Sequence, residues 1–138
     1  MIKINLSILF FFFLIVSLMS CKKQTQDQNV SNPGLSRTIR FRLYTDKDFS
    51  SDNNSIQFTL SIKTAATNQV IWDSTLALSR IKDIPGVSNK LVFEKTISGN
   101  DSVLKTGFYY TIPGVGNSWF LDTCGKTSAL KIIDFNFQ

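Results

Sequence analysis

Ile56-Gln57-Phe58-Thr59-Leu60-Ser61-Ile62-Lys63 alternates apolar and polar side chains without a break. A period of two sends successive side chains to opposite faces of an extended strand, so one face of this segment meets a core and the other meets water. The stretch upstream repeats the pattern, with Ile39, Phe41 and Leu43 alternating with Thr38, Arg40, Arg42 and Tyr44. At the C-terminus Ile133, Phe135 and Phe137 alternate with Asp134, Asn136 and Gln138. Further strands are expected at 69–72, 75–78, 90–97, 107–112, 118–122 and 130–137.

The punctuation between these runs is turn chemistry: Asp52-Asn53-Asn54, Pro85-Gly86, Ser98-Gly99-Asn100-Asp101, Pro113-Gly114 and Cys124-Gly125. Leu76 to Ile84 has room for one short helical turn and nothing longer suggests a helix. The expectation is a single all-β domain over residues 37–138, an antiparallel β-sandwich of about seven strands, with a small β-barrel as the alternative.

The N-terminus is different in kind. Lys3 precedes an apolar run from Ile8 to Met19, which is short for a membrane span of about 20 residues but suits a signal-peptide core of about 7 to 15. Residues 1–20 therefore read as a secretory leader. Leu18-Met19-Ser20-Cys21 resembles the lipobox of bacterial lipoproteins, and Ser20-Cys21-Lys22-Lys23 is in keeping with the Bacteroidota type.

That resemblance implies cleavage between Ser20 and Cys21, a diacylglycerol on the Cys21 sulfur and a palmitate-like acyl chain on the new amino group. A thiolate is the nucleophile able to accept the lipid. One acyl chain holds a membrane weakly, whereas two or three on one residue hold it firmly. The implied location is the cell envelope, outside the cytoplasm and anchored to a membrane, the outer one for this type. Residues 21–36 are polar and rich in Gln, Asn and Ser, and read as a disordered tether with a reach of roughly 20 to 25 Å.

Composition narrows the chemistry. The chain of 138 residues contains no His, which removes Ser-His-Asp triads, Cys-His pairs and His-containing metal sites. Glu94 is its single glutamate, and no pair of carboxylates is marked for glycosidase chemistry. Loss of the leader removes Lys3 and leaves a charge of +4 against ten acidic residues. That modest charge, on an exported protein, does not point to nucleic acid. No enzymatic role and no cofactor are expected.

Several residue groups merit placement. Arg40 and Arg42 share one side of a strand, with Lys47 beyond, and form a basic stripe suited to acidic sugars, head groups or a protein partner. Among Trp72, Phe108, Tyr109, Tyr110, Trp119 and Phe120, at least half are expected in the core, and the remainder, Tyr109 and Trp119 among them, would stack on sugar rings or line a cleft. Asp46, Asp48, Asp52, Asn53 and Asn54 crowd one loop, but their spacing departs from a calcium loop and reads as turn chemistry, so no metal is expected.

Gly125-Lys126-Thr127 lacks the upstream glycine of a phosphate-binding loop, because Phe120 stands in its place, and is expected to be a turn. Cys124 is the one thiol left beside Cys21 and is expected to be half-buried and inert. Asp73-Ser74-Thr75 and Asp101-Ser102-Val103 resemble the Asp-Ser/Thr-apolar acceptor of general O-glycosylation in Bacteroidota-type bacteria, which would place sugars on Ser74 and Ser102.

No characterised family is recognisable across the domain itself. The expected function is a non-catalytic module that binds an envelope protein or a glycan while the lipid on Cys21 holds the membrane. A structural or assembly component of the envelope is the nearest rival, and an enzyme using Asp and Lys comes third.

Overall fold

The computed structural model describes residues 35–77 and 79–138, so Ser20, Cys21, the leader and nearly all of the tether lie outside the described residues. The described residues form eight strands: β1 (Arg37–Thr45), β2 (Ser55–Thr64), β3 (Val70–Thr75), β4 (Ser79–Arg80), β5 (Leu91–Ile97), β6 (Leu104–Ile112), β7 (Gly116–Cys124) and β8 (Leu130–Phe137). Single 3₁₀ turns at Ile81–Asp83 and Val87–Asn89 lie between β4 and β5.

The strands form two sheets, one of three strands in the order β5-β1-β8 and one of five in the order β3-β2-β6-β7 with β4 beside β2. Neither closes on itself, and the fold is a β-sandwich rather than a barrel.

The alternation that defines β2 and β1 is reproduced as burial. Ile56, Phe58, Leu60 and Ile62 from one sheet face Ile39, Phe41 and Leu43 from the other, and Ile133, Phe135 and Phe137 of β8 complete the core. Aromatic rings hold the two layers together: Phe41 meets Phe108 edge-on at 5.7 Å, and Phe120 stacks on Phe135 at 5.2 Å. Such pairs add about 0.5–1.5 kcal/mol each beyond the area they bury.

Two details differ from the expected pattern. The β1–β8 ladder is parallel, because the chain leaves the five-stranded sheet after β7 and enters the other alongside β1 in the same direction. Alternation is blind to strand direction, so this could not be read from periodicity. The run expected at 69–72 extends into β3 (Val70–Thr75), whereas Leu76 and Ala77 of the run expected at 75–78 are not in a strand, and the two-residue β4 follows at Ser79–Arg80. Asp73 does not interrupt β3, since a charge on the outward side of an edge strand is well tolerated.

Arg37 opens β1 and is fully buried, yet it has no carboxylate partner among the described residues. Its guanidinium donates to the carbonyl oxygens of Asn100 at 2.5 Å, Ser102 at 2.9 Å and Gly125 at 3.2 Å. Three carbonyl dipoles solvate the charge, and one side chain thereby ties the β5–β6 and β7–β8 connections to the start of the three-stranded sheet.

Candidate ligand-binding face

The outward face of the five-stranded sheet is built in rows by strand register. Thr75, Thr59, Tyr109 and Trp119 are successive cross-strand neighbours, and the next row is Asp73, Ser61, Gly107 and Leu121. Beyond these, Lys63 of β2 stands directly opposite Lys105 of β6. Trp119 is 66 % exposed, and the tip of the β6–β7 turn beside this sheet leaves Val115 exposed too. Gly114 makes that turn at φ 80°, a left-handed conformation that side chains oppose.

Lys63 Nζ lies 4.5 Å from the centre of the Tyr109 ring and donates to the Tyr109 hydroxyl at 3.2 Å. Lys105 Nζ donates to Asn68 Oδ1 at 3.3 Å. Neither lysine has a carboxylate within ion-pair distance among the described residues. Ser61 contributes a buried hydroxyl with no hydrogen-bond partner among them.

Gly107 is fixed by the backbone beside it. A methyl group there would collide with the Phe120 carbonyl oxygen and come within 2.9 Å of Leu121 Cα. The result is a row of small residues, Ser61 and Gly107, between the aromatic pair and the two lysines.

The other expected site residues lie elsewhere. Arg40 and Arg42 do share a face, but it is the outward face of the three-stranded sheet, where Arg40 Nε pairs with Glu94 at 2.5 Å and Arg42 with Asp134 at 2.7 Å. Lys90 also reaches Asp134, at 3.5 Å, and sits over the Tyr44 ring. Both arginines of the stripe are therefore ion-paired with neighbouring strands. Arg40 and Arg42 are not brought together with Tyr109 and Trp119, because the two pairs belong to different sheets.

Of the aromatic group, Phe108 is buried, Tyr110 packs on Phe58, Phe135 and Phe137, and Trp72 packs against Phe41. Tyr109 and Trp119 face outward. Ser102 is exposed in the β5–β6 connection, while Ser74 is half-buried and pairs with the core residue Leu60. Cys124 is fully buried. Gly125-Lys126-Thr127 is a turn whose Gly125 carbonyl accepts from Ser128 and Arg37.

The carboxylates of the 46–54 loop serve local structure. Asp46 is held below the usual carboxylate range chiefly by the amide of Asn136, and Asp48 by the backbone N–H of Ser50. Asp52 accepts from the N–H of Asn54. Among the described residues no three His, Cys, Asp or Glu side chains gather as metal ligands.

Asp122 is also lowered, first by its hydrogen bond from Lys131, which joins β7 to β8 at 2.5 Å. A cleft of about 280 Å³ is lined by Leu43, Phe58, Ile84 and Phe93, with Ser79 and Asp83 as its polar groups. Asp83 is the single carboxylate among the described residues that line it.

Register is what sequence reasoning lacked here. Lys63 stands in the alternating run of β2, but Lys105 lies ahead of the strand expected at 107–112, because β6 begins at Leu104, and its opposition to Lys63 depends on how β2 slides against β6. Comparison with known protein families, curated proteins and solved structures finds no match to the chain.

Proposed function

We propose that this chain is an exported, lipid-tethered, non-catalytic binding module. Acyl chains on Cys21 hold it at an envelope membrane, and the outward face of the five-stranded sheet takes a glycan. The observation that carries the reading is the exposed Trp119 directly across from Tyr109 on the outward face of the five-stranded sheet. An indole left in water forgoes the stabilisation that burial would supply, and a planar apolar ring suits the flat apolar side of a sugar. Hydroxyls and amides flank the rings: Thr59, Thr75 and the Thr111–Asn117 pair, whose side chains bond to each other at 2.7 Å. These groups match the donors and acceptors of sugar hydroxyls.

The test has two parts. In a Gram-negative host, the wild-type chain should incorporate labelled fatty acid and partition into detergent, and Cys21→Ser should abolish both; an unlabelled, water-soluble wild type contradicts the tether. The full chain should be retained on immobilised polysaccharides, and Trp119→Ala should weaken retention about tenfold or more, equivalent to roughly 1.4 kcal/mol. Retention indifferent to both Trp119→Ala and Tyr109→Ala contradicts the assigned face.

A further inference from the structure

We infer that the glycan is acidic: a polysaccharide bearing carboxylates, with uronate units, whose charge is read by Lys63 and Lys105. This rests on the reading of the five-stranded face as a glycan platform and adds the chemistry of its ligand. Like charges placed directly opposite on neighbouring strands repel, and Lys63 and Lys105 are such a pair. Natural sheets answer the problem with a carboxylate nearby, as the three-stranded sheet of this same molecule does for Arg40 and Arg42.

On the five-stranded face the lysines instead turn apart, Lys63 to the Tyr109 ring and Lys105 to the Asn68 amide. Asp73, in the row beside them at the outer strand β3, reaches neither within ion-pair distance. Among the described residues no carboxylate answers the two ammonium groups. A carboxylate arriving between them would relieve their repulsion.

Position favours a sugar acid over other anions. Lys63 Nζ is held over the Tyr109 ring, so a sugar resting on the neighbouring Trp119 would bring a ring carboxylate toward that ammonium. Two cations, on a face that also carries the Asp73 carboxylate at its outer strand, are too few to track a polyphosphate backbone, which is typically met by many more.

The experiment compares polygalacturonate with a neutral polysaccharide, using the full chain in detergent. Wild type should prefer polygalacturonate about tenfold or more, and the preference should shrink between about 0.1 M and about 1 M salt, where the screening length falls from roughly 10 Å to 3 Å. Lys63→Gln with Lys105→Gln should erase the preference, and Lys63→Arg with Lys105→Arg should keep it.

Equal, salt-independent binding of both polymers would overturn the acidic ligand and leave the glycan face standing. Binding of neither would overturn both readings. Lysine-dependent binding to phosphatidylglycerol vesicles, with none to polygalacturonate, would replace the glycan with a membrane surface.

Discussion

On the outward face of the three-stranded sheet each arginine meets a carboxylate from a neighbouring strand, whereas on the five-stranded sheet Lys63 and Lys105 oppose each other and turn to a phenol ring and an amide. The first face also seats Lys90 between Asp134 and Tyr44. Apolar side chains do not separate the two, since Val92, Leu130 and Ile132 are exposed on the first and Trp119 on the second. What separates them is whether the charge is answered from within. A face with its ion pairs complete gains little from a charged partner, because a new contact must break an old one. A face with unanswered cations beside an exposed indole has electrostatic and apolar free energy still available for a ligand.

Both faces exist only while the sheets stay back to back, and Arg37 is the most direct way to disturb that. Arg37→Met would leave the carbonyls of Asn100, Ser102 and Gly125 without their buried donor. The expected loss is about 3 kcal/mol, following a cost of roughly 1–3 kcal/mol for each buried polar group left unpaired, partly relieved by water. Urea unfolding should show it as a lower midpoint with an unchanged slope.

Gly107→Ala strikes the five-stranded face alone. Its methyl group has to displace the β7 backbone at Phe120 and Leu121, for an expected cost of about 1–3 kcal/mol. Because that shift moves Trp119 relative to Tyr109, glycan retention should fall together with the thermal midpoint.

Substitutions at the surface sharpen the contrast between the faces. Trp119→Ala should change stability by less than about 0.5 kcal/mol while weakening glycan retention about tenfold or more. Arg42→Ala should do the reverse, lowering stability by about 0.2–1 kcal/mol in a salt-sensitive way while leaving glycan retention unaltered. A double-mutant cycle with Asp134→Asn would measure the pair itself.

The smallest expected effect is on acid stability. Asp46, Asp48 and Asp122 are held below the usual carboxylate range in the folded state, Asp46 chiefly by the Asn136 amide, Asp48 by the Ser50 N–H and Asp122 by Lys131. A depressed carboxylate contributes stability that is present above its unfolded pKa and disappears as pH falls through the folded value. Thermal midpoints should therefore hold down to about pH 4 and decline below it. Asp122→Asn should flatten part of that decline, with the exposed Asp122–Lys131 pair contributing no more than about 1 kcal/mol.

Much of the architecture is legible in the residues. Alternation in β1, β2 and β8 assigns Ile39, Phe41, Leu43, Ile56, Phe58, Leu60, Ile62, Ile133, Phe135 and Phe137 to the core, and all are buried. Arg37 is instructive because it lies in phase with Ile39 and Phe41, yet its charge argues for the surface. Burial became affordable only through carbonyls supplied by residues 63 to 88 positions away.

The candidate face was legible in its parts and not in its assembly. Tyr109 and Trp119 could be read as outward rings, and Arg40 and Arg42 as neighbours. Which sheet each strand joins is set by non-local pairing, and that choice put the arginines beside Glu94 and Asp134 and left the aromatics beside the lysines.

The most direct measurement is a residue-resolved NMR titration of the isotope-labelled chain, in detergent, with oligogalacturonate. Backbone amides of Thr59, Lys63, Lys105, Tyr109 and Trp119, and the Trp119 indole N–H, should shift together and saturate, while those of Thr38, Arg40 and Arg42 stay in place. Saturable shifts centred on Arg40 and Arg42, or none on the Tyr109–Trp119 row at ligand concentrations that saturate retention, would contradict the assignment of the five-stranded sheet as the binding face.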